Sequence, residues 1–132
     1  MLAMSDSDLP RRIRSFVIRT GRMTDSQKAG WDVGFPKHGF TLSDNRFDWD
    51  ASFDMAGPRV LEIGFGMGDS LVAMAEQNPQ SRYLGIEVHT PGVGKLLADV
   101  ERLGITNLKV FADDAVQVLE DVIPVNSIDL MQ

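Results

Sequence analysis

Arg59-Val60-Leu61-Glu62-Ile63-Gly64-Phe65-Gly66-Met67-Gly68-Asp69-Ser70-Leu71 is the stretch on which the fold turns. Val60 to Ile63 is a short apolar run that ends in glycines, as a buried strand entering a tight turn does. Ser70 to Gln77 then reads as a helix through Leu71, Met74 and Ala75, stopped by Asn78-Pro79. Tyr83 to Val88 is a second strand. Pro91 opens a longer helix on which Val93, Leu96, Leu97, Val100 and Leu103 form one apolar face, with Gly104 placed to cap its C-terminus. Leu108 to Phe111 is a third strand, Ala115 to Val122 a third helix, and Ile128-Asp129-Leu130-Met131 begins a fourth strand. Strands alternating with helices of about ten residues predict an α/β fold built on a parallel sheet.

Upstream of this unit the pattern loosens. Residues 1–57 are punctuated by Gly21, Gly30, Gly34, Pro36, Gly39 and Gly57 and read as irregular, with one or two helical turns available to Arg11–Arg19. Phe40 to Phe53 alternates aromatic and acidic residues, as a short hairpin or a cover over the core would. Two regions are expected: a basic arm with an irregular cover over 1–57, and the alternating α/β unit over 58–132. There is no internal repeat and no low-complexity tract.

The composition is that of a globular chain: 132 residues, 43% hydrophobic and 24% charged. No apolar run approaches the ~18–20 residues that cross a bilayer. Asp6 and Asp8 interrupt an N-terminus that lacks the apolar core of a secretory signal, so a cytoplasmic setting is expected. The absence of cysteine excludes a disulfide framework, a thiolate metal site and a cysteine nucleophile. With two histidines, His38 and His89, no metal site is expected either. The net charge of −6 conceals an asymmetry. Residues 1–22 carry Arg11, Arg12, Arg14, Arg19 and Arg22 against two aspartates, a net of +3, and the remainder carries −9. A polyanion would be gripped by the arm rather than by the acidic body.

The glycine turn narrows the ligand. Glycines between a strand and a helix let a ligand approach the backbone closely. A dinucleotide fingerprint, G-x-G-x-x-G, needs glycine at position 69. Here Asp69 stands there and Gly68 supplies the third glycine, with Glu62 two residues before the first. This variant resembles motif I of class I S-adenosylmethionine-dependent methyltransferases. An anionic Glu62 suits a ligand carrying ammonium and sulfonium groups and repels a diphosphate. Glu87, 23 residues after Gly64, is spaced to accept from ribose hydroxyls. Asp113-Asp114-Ala115 follows the third strand, where this class places an acid for the adenine amine and a backbone N–H for the ring. Asp114, directly before Ala115, fits that role better, leaving Asp113 free to cap the helix.

The family can be named more narrowly. Leu61 to Gly68, followed by Gly85-Ile86-Glu87-Val88-His89-x-Pro91-Gly92-Val93-Gly94, closely resembles the bacterial tRNA (guanine-N7)-methyltransferases. So do Arg11-Arg12-Ile13-Arg14-Ser15-Phe16-Val17, Gly21-Arg22-Met23-Thr24 through Gln27, Asp114-Ala115-Val116 and Ile123-Pro124-x-Asn126-Ser127. The likeness spans roughly residues 10–132. It implies a Rossmann-like, doubly wound parallel sheet of the class I methyltransferase type, present as its first three to four strands plus an N-terminal extension. It implies methyl transfer from S-adenosylmethionine to N7 of a variable-loop guanine in tRNA, with tRNA as partner and no metal or membrane. Cofactor contacts are then expected from Glu62, Gly64, Gly66, Gly68, Glu87, Asp114 and Ala115, and RNA contacts from Arg11, Arg12 and Arg14. The family continues into a P-D-P-W-type motif bearing an acid implicated in catalysis, and then into basic tRNA-binding segments. Neither occurs in this sequence, so catalytic residues are expected beyond Gln132 and the chain reads as an N-terminal half.

Two alternatives compete: a non-catalytic adenosyl-ligand or RNA-binding module, and a nicotinamide-dependent oxidoreductase, which the glycine spacing and Glu62 oppose. His89, Pro91 and Gly92 either shape the loop after the second strand or line the pocket. Met67 and Met74 are expected in packing, and Asp48, Asp50 and Asp54 on a solvated face.

Overall fold

Near-continuous apolar runs, buried on both faces, are what a central parallel strand requires. The computed structural model, which describes residues 23–42, 47–123 and 127–132, has such strands at its centre. Its elements are α1 (Asp25–His38), β1 (Gly39–Phe40), α2 (Trp49–Ser52), β2 (Arg59–Ile63), α3 (Asp69–Gln77), β3 (Arg82–Ile86), α4 (Thr90–Leu103), β4 (Leu108–Phe111), α5 (Ala115–Asp121) and β5 (Leu130–Met131). The strands form one sheet in the order β1-β4-β3-β2-β5, and every pair is parallel.

Setting aside the two-residue β1 and counting from β2, the strands lie across the sheet in the order third, second, first, fourth. That is the doubly wound arrangement, with its switch point between β2 and β5. Register places Ile63 beside Ile86 and Ile86 beside Phe111, so β2, β3 and β4 end at one level.

Side-chain alternation divides the core between the two faces of the sheet. Val60, Tyr83, Leu108 and Val110 pack with Leu71, Val72 and Ala75 of α3 and Val93, Leu96, Leu97 and Val100 of α4. Leu61, Leu84, Ile86 and Phe111 pack on the opposite face with Phe47, Trp49, Phe53, Val118 and Val122. Gly104 ends α4 in the left-handed conformation, as expected, and the expected strands and helices hold to within two residues at each end.

The upstream region departs from expectation. Residues 25–38 form a regular helix despite Gly30, Gly34 and Pro36. Apolar periodicity is absent because the buried stripe of α1 is made of Gly30, Gly34 and His38. A Cβ on Gly30 would lie 2.6 Å from the Gly94 carbonyl oxygen and 2.7 Å from Ala98 Cβ, and one on Gly34 would lie 2.9 Å from Leu97 Cβ. The two helices approach through backbone, and Trp31 and Phe35, stacked 4.6 Å apart, pack beside the seam. A capping box secures the helix start. The Thr24 hydroxyl accepts from Gln27 N–H, and the Gln27 side chain accepts from Thr24 N–H.

The aromatic segment is a cover, not a hairpin. Phe47, Trp49 and Phe53 are buried on the sheet, and the Trp49 indole N–H donates to Ser127 Oγ at 3.0 Å. Asp48, Asp50 and Asp54 remain exposed, and the first two have hydrogen-bond partners. Asp48 caps α2 by accepting from Asp50 and Ala51 N–H, and Asp50 receives a 2.9 Å hydrogen bond from the buried guanidinium of Arg82. Arg11, Arg12 and Arg14 lie outside the described residues.

Candidate functional site

Because β2, β3 and β4 are parallel and end at one level, the loops that follow them share one edge of the sheet. Backbone bonds continue the ladder past the strand ends: Gly64 N–H donates to Ile86 O at 2.8 Å, and Glu87 N–H to Phe111 O at 3.0 Å. The structure thus brings Gly64–Gly68, Glu87 and Asp113–Ala115 together. Tyr83–Val88 read as one strand, but β3 stops at Ile86, so Glu87 is the first residue of the loop rather than the last of the strand.

Gly64, Gly66 and Gly68 all have positive φ, at 71°, 65° and 86°. They differ in surroundings. A Cβ on Gly64 or Gly66 would meet nothing within 4 Å, whereas one on Gly68 would lie 2.6 Å from Leu96 Cδ1. The first two line open space and the third lets α3 seat against α4. Gly92, in the first turn of α4, packs so closely that a Cβ would run into the Gly66 carbonyl. This close fit settles its place. Gly92 shapes the glycine turn from below.

Glu62 lies in β2 on the face covered by α3 and α4, beside Gly85 in register. A Cβ on Gly85 would collide with Phe65 and Leu71, so the absence of a side chain there admits the apolar residues that screen Glu62. Its Oε1 is shielded from solvent and has no hydrogen-bond partner, and burial holds the carboxyl above the ordinary glutamate value of 4.5. A buried carboxylate oxygen without a donor is costly unless something supplies one.

Glu87 is engaged in the free chain. Oε1 accepts from Gly66 N–H at 2.7 Å and Oε2 from His89 N–H at 2.9 Å. Nothing in sequence spacing predicts this pairing across the turn. The helix cap expected of Asp113 is made by its neighbour. Asp114, and not Asp113, is the N-cap of α5, its Oδ1 accepting from Gln117 N–H at 3.1 Å. A carboxylate has about four acceptor positions, so the cap leaves others on Asp114 for a ligand. His89 is the N-cap residue of α4 but makes no capping bond with its side chain. Met67, expected in packing, is exposed at the tip of the glycine turn, while Met74 packs against the core.

Among the described residues, the cation between the start of α3 and α4 is committed. Lys95 Nζ bridges Asp69 Oδ1 and Asp99 Oδ2, both at 2.6 Å, which ties the start of α3 to α4. The edge formed by Glu62, Glu87, Asp113 and Asp114 is left strongly acidic. It offers acceptors and negative potential, the chemistry of a site for a cationic, hydroxyl-bearing ligand and a poor one for a diphosphate. Three glycines provide close backbone approach beside those acceptors, so the residues present fit S-adenosylmethionine.

Comparison with known proteins agrees. The family model described as "Putative methyltransferase" matches residues 56–132. A tRNA (guanine-N(7)-)-methyltransferase of Hydrogenovibrio crunogenus is 49% identical over 92% of this chain and 52% of its own length. One from Yersinia enterocolitica is 52% identical over 92% of this chain and 51% of its own length. The chain spans about half the length of the curated relatives it matches. Among solved structures, coclaurine N-methyltransferase bound to N-methylheliamine and SAH aligns with a TM-score of 0.42 and 11% identity, over 86% of this chain and 41% of that one.

Proposed function

The chain belongs to this methyltransferase family, and on that premise we propose that it forms the S-adenosylmethionine-binding part of a tRNA (guanine-N7)-methyltransferase. The observation that carries the reading is Glu62: a buried carboxylate oxygen without a donor, set beside a turn of three left-handed glycines. The ammonium group of the methyl donor supplies that missing partner. Membership of a methyltransferase family also sets aside the nicotinamide-dependent alternative.

Each residue then has a part. Glu62 holds the cationic amino-acid end, and Gly64 and Gly66 allow the backbone to close on it. Glu87 accepts from the ribose hydroxyls. Asp114 and the N–H of Ala115 face the adenine. Arg11, Arg12 and Arg14 take tRNA phosphates, as arginine-rich segments commonly do. Residues 58–132 make up the cofactor-binding unit and residues 1–57 the arm and cover. The reading includes a cytoplasmic location, and among the described residues no helix is long and apolar enough to cross a membrane.

S-adenosylmethionine, when bound, supplies an electrophilic methyl group on a sulfonium. Guanine N7 presents a lone pair and has no proton to lose, so the chain is asked for position and electrostatics rather than for a general base. Alignment of this kind contributes up to roughly 7–11 kcal/mol in favourable systems. Carboxylates near the reacting base stabilise the positive charge that develops on its imidazole ring.

The test is transfer of labelled methyl from S-adenosylmethionine to tRNA that lacks N7-methylguanosine, by the protein that carries this chain. One methyl group at a variable-loop guanine is expected. Methylation at another nucleotide, or none, would overturn the reading.

A further inference from the structure

The glycine turn poses a problem that its three glycines create. Glycine loses more conformational freedom on ordering than any other residue, so a turn containing three of them is costly to hold in one shape. Something must hold this one before a ligand arrives. The carbonyl of Gly66 is backed by Gly92. Its N–H is held at 2.7 Å by Glu87 Oε1, while Oε2 of the same carboxylate holds the His89 N–H at the start of α4. One side chain therefore cross-links the tip of the glycine turn to the element behind it, across 21 residues of sequence.

We propose that Glu87 is a positioning residue for the glycine turn as well as a ligand acceptor. It pre-shapes the turn in the free protein, so that the ligand meets a formed cradle. The two roles are compatible. A carboxylate offers about four acceptor positions, and the backbone amides occupy two, which leaves two for hydroxyls. The second role rests on the cofactor reading given above; the first rests only on the hydrogen bonds described.

A residue that only accepts from ribose and a residue that also holds the turn give different results in the free protein. Glu87→Gln is nearly isosteric, but it turns an NH2 group toward one of the two backbone N–H donors, so one bond is lost and two donors face each other. Glu87→Ala loses both bonds. Amide hydrogen exchange is followed by NMR in the wild type and both variants without ligand, and association of S-adenosylhomocysteine is followed by stopped flow.

Exchange at Gly66 is expected to quicken by about tenfold or more in Glu87→Ala, and in Glu87→Gln at whichever of Gly66 and His89 faces the NH2 group, as loss of a charge-assisted bond predicts. The core amides of β3 and β4 should keep their protection, which shows that the fold is intact even if Glu87→Ala loosens it elsewhere. Association should slow in Glu87→Gln, because a pre-shaped site is reached faster than one that must be ordered. Unchanged Gly66 exchange in both variants would overturn the proposal, as would a variant that raises the dissociation rate alone. Failure of the wild type to bind S-adenosylhomocysteine, with Gly66 exchange still dependent on Glu87, would instead overturn the cofactor reading and leave the turn-holding role standing.

Discussion

Replacing Glu62 by glutamine should move stability and ligand binding in opposite directions. The Glu62 carboxyl is held above 4.5 by burial alone, with no donor on Oε1. A raised carboxylate pKa means that the folded chain binds the proton more tightly than the unfolded chain does. Its cost to folding is therefore absent below pH 4.5 and grows as pH rises from there through the folded-state value. Glutamine keeps the shape and removes the charge. The free Glu62→Gln protein should accordingly be more stable than wild type at pH 7 and show no such gain below pH 4.5. Binding should suffer. Losing a charge-assisted bond to an ammonium group costs about 1.5–3 kcal/mol, or roughly 10- to 150-fold in affinity. The same linkage makes wild-type binding release a proton in the window just above 4.5, so affinity should weaken as pH falls through it. The assays are denaturant unfolding of the free protein at pH 4 and pH 7, and calorimetric titration with S-adenosylhomocysteine. Equal affinities, or a glutamine variant less stable at pH 7, would refute the reasoning.

Other substitutions probe the surrounding supports. Gly92→Ala drives a Cβ into the Gly66 carbonyl and should abolish ligand binding at a stability cost of about 1–3 kcal/mol. Gly104→Ala, at a glycine of positive φ with open space around it and away from the turn, should leave titrated affinity unchanged. Gly30→Ala forces α1 away from α4 and should lower the unfolding free energy by about 1–3 kcal/mol, with ligand affinity the less affected quantity. Replacing Arg11, Arg12 and Arg14 together by alanine should flatten the log–log salt dependence of tRNA binding by about two to three units while S-adenosylhomocysteine affinity holds; an unchanged slope would remove the arm from the interface.

The parts of the fold that were legible in the sequence are those in which burial writes itself as a period. Val60 and Leu61, the stripe from Val93 to Val100, and Leu108, Val110 and Phe111 are apolar because they are central, and the elements that carry them follow directly. Helix α1 was hidden for the converse reason. Its contact with α4 is made by Gly30 and Gly34, residues that signal a break unless their partner is known. The capping box at Thr24 and Gln27 was the one local sign of a helix start. Among the candidate site residues, Glu62 and the three glycines could be picked out in the sequence because the chemistry proposed for them is local to the turn. The hold of Glu87 on Gly66 was not, since it joins two loops that only the sheet register brings together. The cap of α5 falls on Asp114 rather than Asp113 because the helix begins at Ala115, which makes the residue just before it the N-cap. The helix start at Ala115 was legible and already makes Asp114 the N-cap; the cap was expected from Asp113 because Asp114 was reserved for the adenine, although one carboxylate has acceptor positions for both.

The central claim is that this acidic, glycine-lined edge selects an adenosyl ligand bearing an ammonium group over one bearing a diphosphate. A competition titration tests it most directly: S-adenosylhomocysteine and NAD are each offered to the folded wild-type protein, alone and against the other. Saturable one-site binding of S-adenosylhomocysteine that excess NAD does not displace is predicted. Binding of NAD at the same site with comparable or greater affinity would contradict the account.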